Sequence, residues 1–365
     1  MKQKLIAVAV VGAFAAPAAF AQSTVQIYGS INAEYGFVSA PDAVAGAPGR
    51  NNYDGFDSGA SNIGFKGEEK LGGGMSAFFQ CESDVRFLAG ATRTSGSICD
   101  RNSAIGLKGG FGSFFVGTWD SPNKIAVGKT RMLADTGFLG VTHMTFDEFS
   151  NRNAYSINYH SPNFNGFQVL AQTTSTNDAN GTAVPGKKGR LNSLAGTYTS
   201  GPLTAALGWT KADDNKAAGT VSGAEDTSVT AGVTYTFGPA KLGFTWYDAN
   251  FEDPATLSDI ERNAYNLALS YSLGGANSIL AGYTRAGDFE GTVGGVAIPG
   301  DNGAKEYQIS FIHKLSKRTT TAIGYARLKN DGAGDLYTVG NRVSGTGQRV
   351  GAKSSVITVQ LKHNF

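Results

Sequence analysis

Apolar and polar positions alternate with a period of two along most of this chain, and stretches with the period of a helix are nearly absent. Val25, Ile27, Ile31, Ala33 and Tyr35 alternate with Thr24, Gln26, Ser30, Asn32 and Glu34. Val229, Ala231, Val233, Tyr235 and Phe237 alternate with Thr230, Gly232, Thr234 and Thr236. The most regular stretch sets Tyr265, Leu267, Leu269, Tyr271 and Leu273 against Asn266, Ala268, Ser270 and Ser272. Successive side chains of a strand point to opposite faces, so each segment predicts a strand with one apolar face and one polar or small face.

The connections fix the arrangement of these strands. Short turns are expected at Gly72–Gly74, Gly109–Gly112, Ser161–Gly166, Ser200–Pro202, Gly238–Ala240, Gly274–Ala276 and Leu315–Lys317. Long polar segments separate them, near residues 38–60, 87–97, 121–150, 177–189, 212–225, 251–260, 287–303 and 330–353. Short and long connections alternate strictly. Seven short turns and eight long loops predict sixteen strands with every long loop on one side, which is an all-β, up-and-down antiparallel barrel. A soluble β-sandwich also alternates, but its strands average about 5–6 residues, and these run about 10, the length that crosses a bilayer with tilt. The aromatic residues Trp209, Tyr235, Phe237, Trp246, Tyr265 and Tyr271 lie on the apolar face, often towards strand ends. The opposite face, rich in Thr, Ser, Asn, Gln and Gly, suits a wet interior better than a dry core.

Composition agrees with this reading. Of 365 residues 50 are glycine and only 16% are charged, against about 7% glycine and about 25% charged in an average chain. Residues 1–21 carry Lys2 and Lys4, an apolar stretch from Leu5 to Phe14, and small residues ending Ala19-Phe20-Ala21. This is the pattern of a secretory signal peptide cleaved between Ala21 and Gln22, which leaves 22–365 as the barrel domain. Without Lys2 and Lys4 the 31 basic residues fall to 29 against 29 acidic ones, so no basic excess is left for a nucleic-acid partner. In an exported chain Cys81 and Cys99 are expected to form a disulfide, with no histidine nearby to complete a zinc set. Strand parity sends their side chains to opposite faces, so the bridge requires Cys99 to lie in irregular loop.

Several stretches then match a family. They are Val25-Gln-Ile-Tyr-Gly29, Ile63-Gly-Phe-Lys-Gly-Glu68 leading into Leu71-Gly-Gly-Gly74, Ala77-Phe-Phe-Gln80 with Glu82, Gly109-Gly-Phe-Gly112, Arg152 through Ser161-Pro-Asn-Phe-Asn-Gly-Phe167, and the last strand ending in Phe365. Together the sequence resembles the general diffusion porins of Gram-negative outer membranes, most closely the β-proteobacterial group, over essentially the whole mature chain. The resemblance implies a sixteen-stranded transmembrane barrel with short periplasmic turns, usually a homotrimer, with one water-filled pore per chain for ions and small hydrophilic solutes. Outer-membrane lipid and lipopolysaccharide are the implied surroundings. Phe365 is implied as part of the signal read by the barrel-assembly machinery.

The third long loop, about 121–150, holds Met132, Leu133, Phe138, Leu139, Val141, Met144, Phe146 and Phe149. So many apolar groups are expected to fold into the barrel against its inner wall, where the family places its pore constriction. Parity turns Asn62, Lys66 and Glu68 inward when Ile63 and Phe65 face lipid, and Arg152 and Ser156 inward when Tyr155, Ile157 and Tyr159 face lipid. By resemblance Arg101 and Arg152 are wall arginines, Asn62 stands where relatives often carry another, and Asp135 takes the place of a loop carboxylate. Lys124, Lys129 and Arg131 join the arginines to give a weak anion preference, opposed by Asp120, Asp135, Asp147 and Glu148. Charges around a narrow passage bias which ions enter, because screening acts over about 8 Å at physiological salt.

An enzyme is not expected. His143, His160, His313 and His363 are scattered, no G-x-S-x-G elbow occurs, and no metal-ligand spacing or cofactor motif is present. Gly181 to Gly186-Lys187-Lys188 mimics a phosphate loop but lacks the following Ser or Thr. The alternatives that stay open are a substrate-specific channel, for which Tyr28, Phe78 and Trp119 are the inward aromatics, and an adhesin binding through its long loops.

Overall fold

The computed structural model describes residues 24–41, 52–88, 98–134, 136–141, 144–145, 152–174, 190–213, 225–253, 257–334, 337–339, 342–343 and 350–365. Sixteen strands form the wall: Thr24–Ser39 (β1), Asn62–Gly72 (β2), Met75–Asp84 (β3), Ser103–Gly109 (β4), Gly112–Asp120 (β5), Arg152–His160 (β6), Phe167–Thr174 (β7) and Arg190–Ser200 (β8). The second half comprises Leu203–Asp213 (β9), Glu225–Phe237 (β10), Ala240–Asp253 (β11), Ser258–Gly274 (β12), Asn277–Ala286 (β13), Ala304–Lys314 (β14), Thr319–Asn330 (β15) and Lys353–Asn364 (β16). Each pairs antiparallel with its neighbours in chain order. β1 closes the ring, pairing with β2 through its first half and with β16 through Ser30–Ser39. The last residue completes the seam: Phe365 N–H donates to Gly29 O at 3.0 Å, and Gly29 N–H donates to Phe365 O at 3.2 Å.

The seven short turns fall where the glycine pattern puts them, and seven of the eight long connections are long. The segment near 251–260 is the exception. β11 runs on to Asp253 and β12 starts at Ser258, so a four-residue connection joins two of the longest strands of the wall. The polar residues read there as a loop are the ends of strands, which need no apolar face once they rise beyond the membrane.

Exposure alternates with strand parity. Along β15, Ile323, Tyr325, Arg327 and Lys329 are exposed while Gly324, Ala326, Leu328 and Asn330 are buried. Exposed Ile, Leu, Val and aromatic side chains cover the outer face of nearly every strand, as a lipid-facing band requires. Tyr265, Tyr283 and Tyr307 form a ring ladder across β12, β13 and β14, with centroids 6.0 and 4.9 Å apart. Cys81 sits on the outer face of β3. It is bridged to Cys99, whose φ of 68° places it in a turn outside the ladder, and whose N–H donates to Ser83 Oγ at 2.9 Å. The geometric objection from parity is met in that way. Closing a loop of this size stabilises a chain by roughly 3 kcal/mol.

The dry core lies inside the barrel. Contrary to the absence of helix signals, the third long loop opens with a helix, Pro122–Thr130 (α1). Ser121 caps it by accepting from Lys124 N–H, and proline occupies the first turn, where its missing donor costs nothing. Pro122, Asn123, Ala126, Val127 and Thr130 face the wall of β7–β11 and are buried; Gly128 and Lys129 face the opposite way and are exposed. The rest of the loop follows the wall. Leu133 and Val141 pack with Ala268, and Phe138 and Met144 pack with Ala286, Ala304, Ala326 and Leu328. Tyr337 and Val339 of the eighth long loop join that last cluster, so two loops fold inward where the sequence predicts one.

The seat for the third loop is a row of inward glycines. A Cβ added at Gly208, Gly232, Gly243, Gly282, Gly324 or Gly36 would overlap Asn123, Thr130, Met132, Leu133, Leu139 or Phe138, respectively. The backbone of the loop can therefore lie close against the wall. Gly282→Phe is expected to lower stability by about 1–3 kcal/mol through overpacking against Leu133, while Ala281→Phe on the lipid face leaves it unchanged. Thermal unfolding followed by circular dichroism compares the two.

Candidate functional site

Loop 3 is seated on β7–β16 and reaches β1 at Gly36, and the open lumen lies between it and the wall that β2–β6 and the β1–β16 seam provide. The charged residues of that wall form two groups. In the upper group Arg101 Nε donates to Glu82 Oε1 at 2.6 Å, with its Nη1 3.8 Å from Asp84 Oδ1. The Tyr28 hydroxyl donates to Glu82 Oε2 at 3.0 Å. Asp120, closing β5, pairs with Arg152 at 3.2 Å and with Lys124 of α1 at 3.5 Å. Asn102, next to Arg101 in the chain, braces the second set: its amide nitrogen donates to Asp120 at 2.9 Å, and its oxygen accepts from Arg152 Nε at 2.8 Å. The side chains of Arg101, Glu82, Asp120 and Arg152 are 12–19% exposed. Partial desolvation makes these pairs more binding than surface ones and holds them against the wall.

A local irregularity sets this group in place. The β5–β6 register shifts between Gly117 and Trp119, and Tyr155 adopts φ 51°. One extra residue in β6 lets both Asn153 and Ser156 join the inner polar network, with Asn153 donating to Gln172 at 2.7 Å and Ser156 to Gly117 O at 2.8 Å. Phe78, Phe115, Trp119 and His160 pack nearby with centroids 4.9–5.7 Å apart. That is one compact inner cluster, not a path of rings along the lumen.

The second group lies nearer the short turns. Glu68 pairs with Lys70 at 2.8 Å and with Lys108, and Lys66 Nζ stands 5.0 Å from the centre of the Tyr28 ring. Gln26, Lys66, Glu68, Gln80 and Lys108 line a cavity of about 350 Å³. A second cavity, about 340 Å³, opens between the loop and the β1–β16 seam, lined by Glu34, Arg131, Leu133, Gln360 and Lys362. Glu34 anchors the loop there: its carboxylate accepts from Phe138 N–H at 3.0 Å, Asn32 at 2.9 Å and Gln360 at 2.7 Å. The arrangement is a polar, charge-lined passage narrowed by an inserted loop.

A family model described as Gram-negative porin matches residues 7–333. The chain belongs to that family. Two curated outer-membrane porins align over their whole length and all of this chain: porin protein 32 of Delftia acidovorans at 29% identity, and an outer membrane porin protein of Bordetella pertussis at 26%. A solved structure described as the anion-selective porin from Comamonas acidovorans superposes with a TM-score of 0.76 at 25% identity, covering 94% of this chain and 100% of its own. These relatives are channels, not enzymes. The protein is a porin of the Gram-negative outer membrane, with its short turns at the periplasmic face and its long loops outside.

In this porin Asn62, Lys66 and Glu68 project from β2 as parity predicts, with Asn62 Nδ2 donating to Ala60 O at 3.1 Å at the loop end of the strand. Arg101 and Arg152 both lie on the inner wall, partly buried. Their nearest carboxylates are Glu82, Asp84 and Asp120, on the same wall. Lys124 joins Arg152 on Asp120, Lys129 faces the lumen from α1, and Arg131 lines the second cavity. Asp135, Asp147 and Glu148, like Ala21 and Gln22, lie outside the described residues. Sequence reasoning missed Glu34, Asn102, Lys108 and Lys362. Lys108 and Lys362 were available to the same parity argument that found Lys66; Glu34 was not, because its role depends on a loop a hundred residues away.

Two opposite shifts are expected. Asp120→Asn leaves Arg152 and Lys124 uncompensated and moves the permeability ratio towards chloride, whereas Arg152→Ala moves it towards potassium. Each shift is at most about fivefold at 0.1 M salt, the factor that ~1 kcal/mol of Coulomb energy supports. Both shrink at 1 M, where the screening length falls to about 3 Å. Reversal potentials across a salt gradient read both variants.

Proposed function

We propose that this porin passes ions and small hydrophilic solutes by passive diffusion, with a weak preference for anions, and that Asn62, Lys66, Glu68, Arg101 and Arg152 with the third-loop residues Lys124, Lys129, Arg131, Asp135, Asp147 and Glu148 form its constriction. The observation that carries the preference is the lining of the two cavities along the inner wall. Among the described residues they expose Lys66, Lys108, Arg131 and Lys362 against Glu34 and Glu68. The likeness to a porin described as anion-selective supports the same direction.

The chain is inferred to be made with a leader removed between Ala21 and Gln22, to be received by the assembly machinery through a signal that includes Phe365, and to work as a homotrimer. A structural neighbour solved in a trimer form supports the fold of such an assembly at a TM-score of 0.67.

In planar bilayers the purified porin is expected to give an ohmic unitary conductance, without saturable block by sugars or amino acids. Under a potassium chloride gradient the reversal potential should lie on the chloride side of zero. A value on the potassium side would overturn the anion preference, and saturable block by one solute would replace general diffusion with a specific channel.

A further inference from the structure

Strand parity alone would put Arg101 outside the barrel. The β3–β4 ladder runs from Ser76 opposite Lys108 to Gln80 opposite Ala104 and ends there. Continued in the same register, it would set Cys81 opposite Ser103, Ser83 opposite Arg101 and Val85 opposite Cys99. Partners in an antiparallel pair share a face. Ser83 has the parity of Phe79 and Cys81, so Arg101 would project from the outer side with Ile105 and Leu107, which are exposed there.

The disulfide prevents that register. Cys99 is bonded to Cys81, with the two Cα atoms 4.7 Å apart. It is thereby held back from a place opposite Val85 by the reach of the chain from Cys81 to Val85, roughly 13 Å of extended strand. The slack is taken up in a turn, in which Cys99 adopts φ 68°. Arg101 emerges from that turn one position out of register: its N–H donates to Glu82 O at 2.9 Å, and its Nε meets the inward Glu82 carboxylate at 2.6 Å. The other ties of the turn are hydrogen bonds from Cys99 N–H to Ser83 Oγ at 2.9 Å, from Asp84 N–H to Asp100 Oδ1 at 3.0 Å and from Gln80 Nε2 to Asn102 O at 2.9 Å. These join partly exposed groups, and each is of small net worth against water. A chain without the bridge can exchange them for regular ladder pairs, and in that register Arg101 leaves the pore.

We propose that the Cys81–Cys99 disulfide is the positioning element for Arg101: by forcing a turn ahead of β4 it directs the guanidinium into the pore, so the ion preference of the channel depends on the bridge being formed. The two cysteines touch no solute. They act through the register of the segment between them and β4, from the outer face of β3 to a side chain on its inner face. The proposal rests on the reading of Arg101 as a constriction residue and adds what holds it there.

The test compares reversal potentials, in potassium chloride gradients near 0.1 M, of wild type, Cys81→Ser/Cys99→Ser, Arg101→Ala and the variant carrying all three changes. Arg101→Ala is expected to move the permeability ratio towards potassium by up to about fivefold, because Glu82 loses its cation. The cysteine variant should move it the same way by a comparable factor. The combined variant should move it no further than Arg101→Ala does, since a bridge that acts through one side chain has nothing to add once that side chain is gone. Unitary conductance at 1 M salt, where screening falls to about 3 Å, should stay at the wild-type value throughout and shows the barrels intact. If the cysteine variant does not assemble, wild type already inserted in the bilayer is treated with a water-soluble phosphine. The phosphine is oxidised to its oxide with oxygen from water while the bridge becomes two thiols, complete reduction is read by mass after alkylation, and the same shift is expected. A shift by Arg101→Ala with none on loss of the bridge would overturn the positioning role, and so would a bridge effect that adds in full to that of Arg101→Ala. No shift by Arg101→Ala would instead remove Arg101 from the constriction, and the proposal with it.

Discussion

A chain that crosses a bilayer has no water to satisfy its backbone, so each N–H and C=O in the hydrocarbon layer must pair within the protein. For strands this demands a closed ring, and closure here depends on the register of β1, which serves β2 with one half and β16 with the other. The seam ends on the mutual hydrogen bonds of Gly29 and Phe365. Closure brings a second condition, because a ring has an inside. The period-2 pattern must separate lipid from lumen at every rung, and wherever the alternation is disturbed, as at Gly117 and Tyr155, polar side chains gather on the inner wall.

A ring of sixteen strands is wider than its own side chains can fill. The space is divided unequally. Loop 3 and part of loop 8 pack on glycine and alanine along β7–β16 and there make the only extensive apolar clusters among the described residues. The wall of β2–β6, left uncovered, carries the ion pairs. The asymmetry between a small-residue wall that receives a loop and a charged wall that faces water is what turns a hollow barrel into a selective passage. It also explains why the wall arginines are held by carboxylates beside them: without a partner, groups so little exposed would meet a desolvation cost that solvent in a narrow passage relieves poorly.

Strand number, turn positions and the inward course of loop 3 were legible because each is local, resting on alternation, glycine and a surplus of apolar residues in a polar segment. Helix α1 was not, since its buried residues are Pro, Asn, Ala, Val and Thr and show no apolar stripe. Nor was the glycine seat. Gly232 and Gly282 read as gaps in strands until it is known that Thr130 and Leu133 arrive opposite them. The pairing of Arg152 with Asp120 needed the register of two strands separated by the longest loop, and Arg101 turns inward only because the ladder of β4 starts after it, at Ser103. Resemblance supplied the two arginines but not their partners.

The central claim is that loop 3 lies on the inner glycine row and thereby sets the size and charge of the passage. Leu133→Cys with Gly282→Cys, in a background with Cys81 and Cys99 replaced by serine, tests it directly, because the Gly282 side-chain position falls against the Leu133 side chain at a separation a disulfide can span. A disulfide should form without added oxidant beyond air and be visible as a mobility shift, with unitary conductance close to that of the unmodified porin. A folded, conducting barrel in which these two cysteines never join would contradict the account.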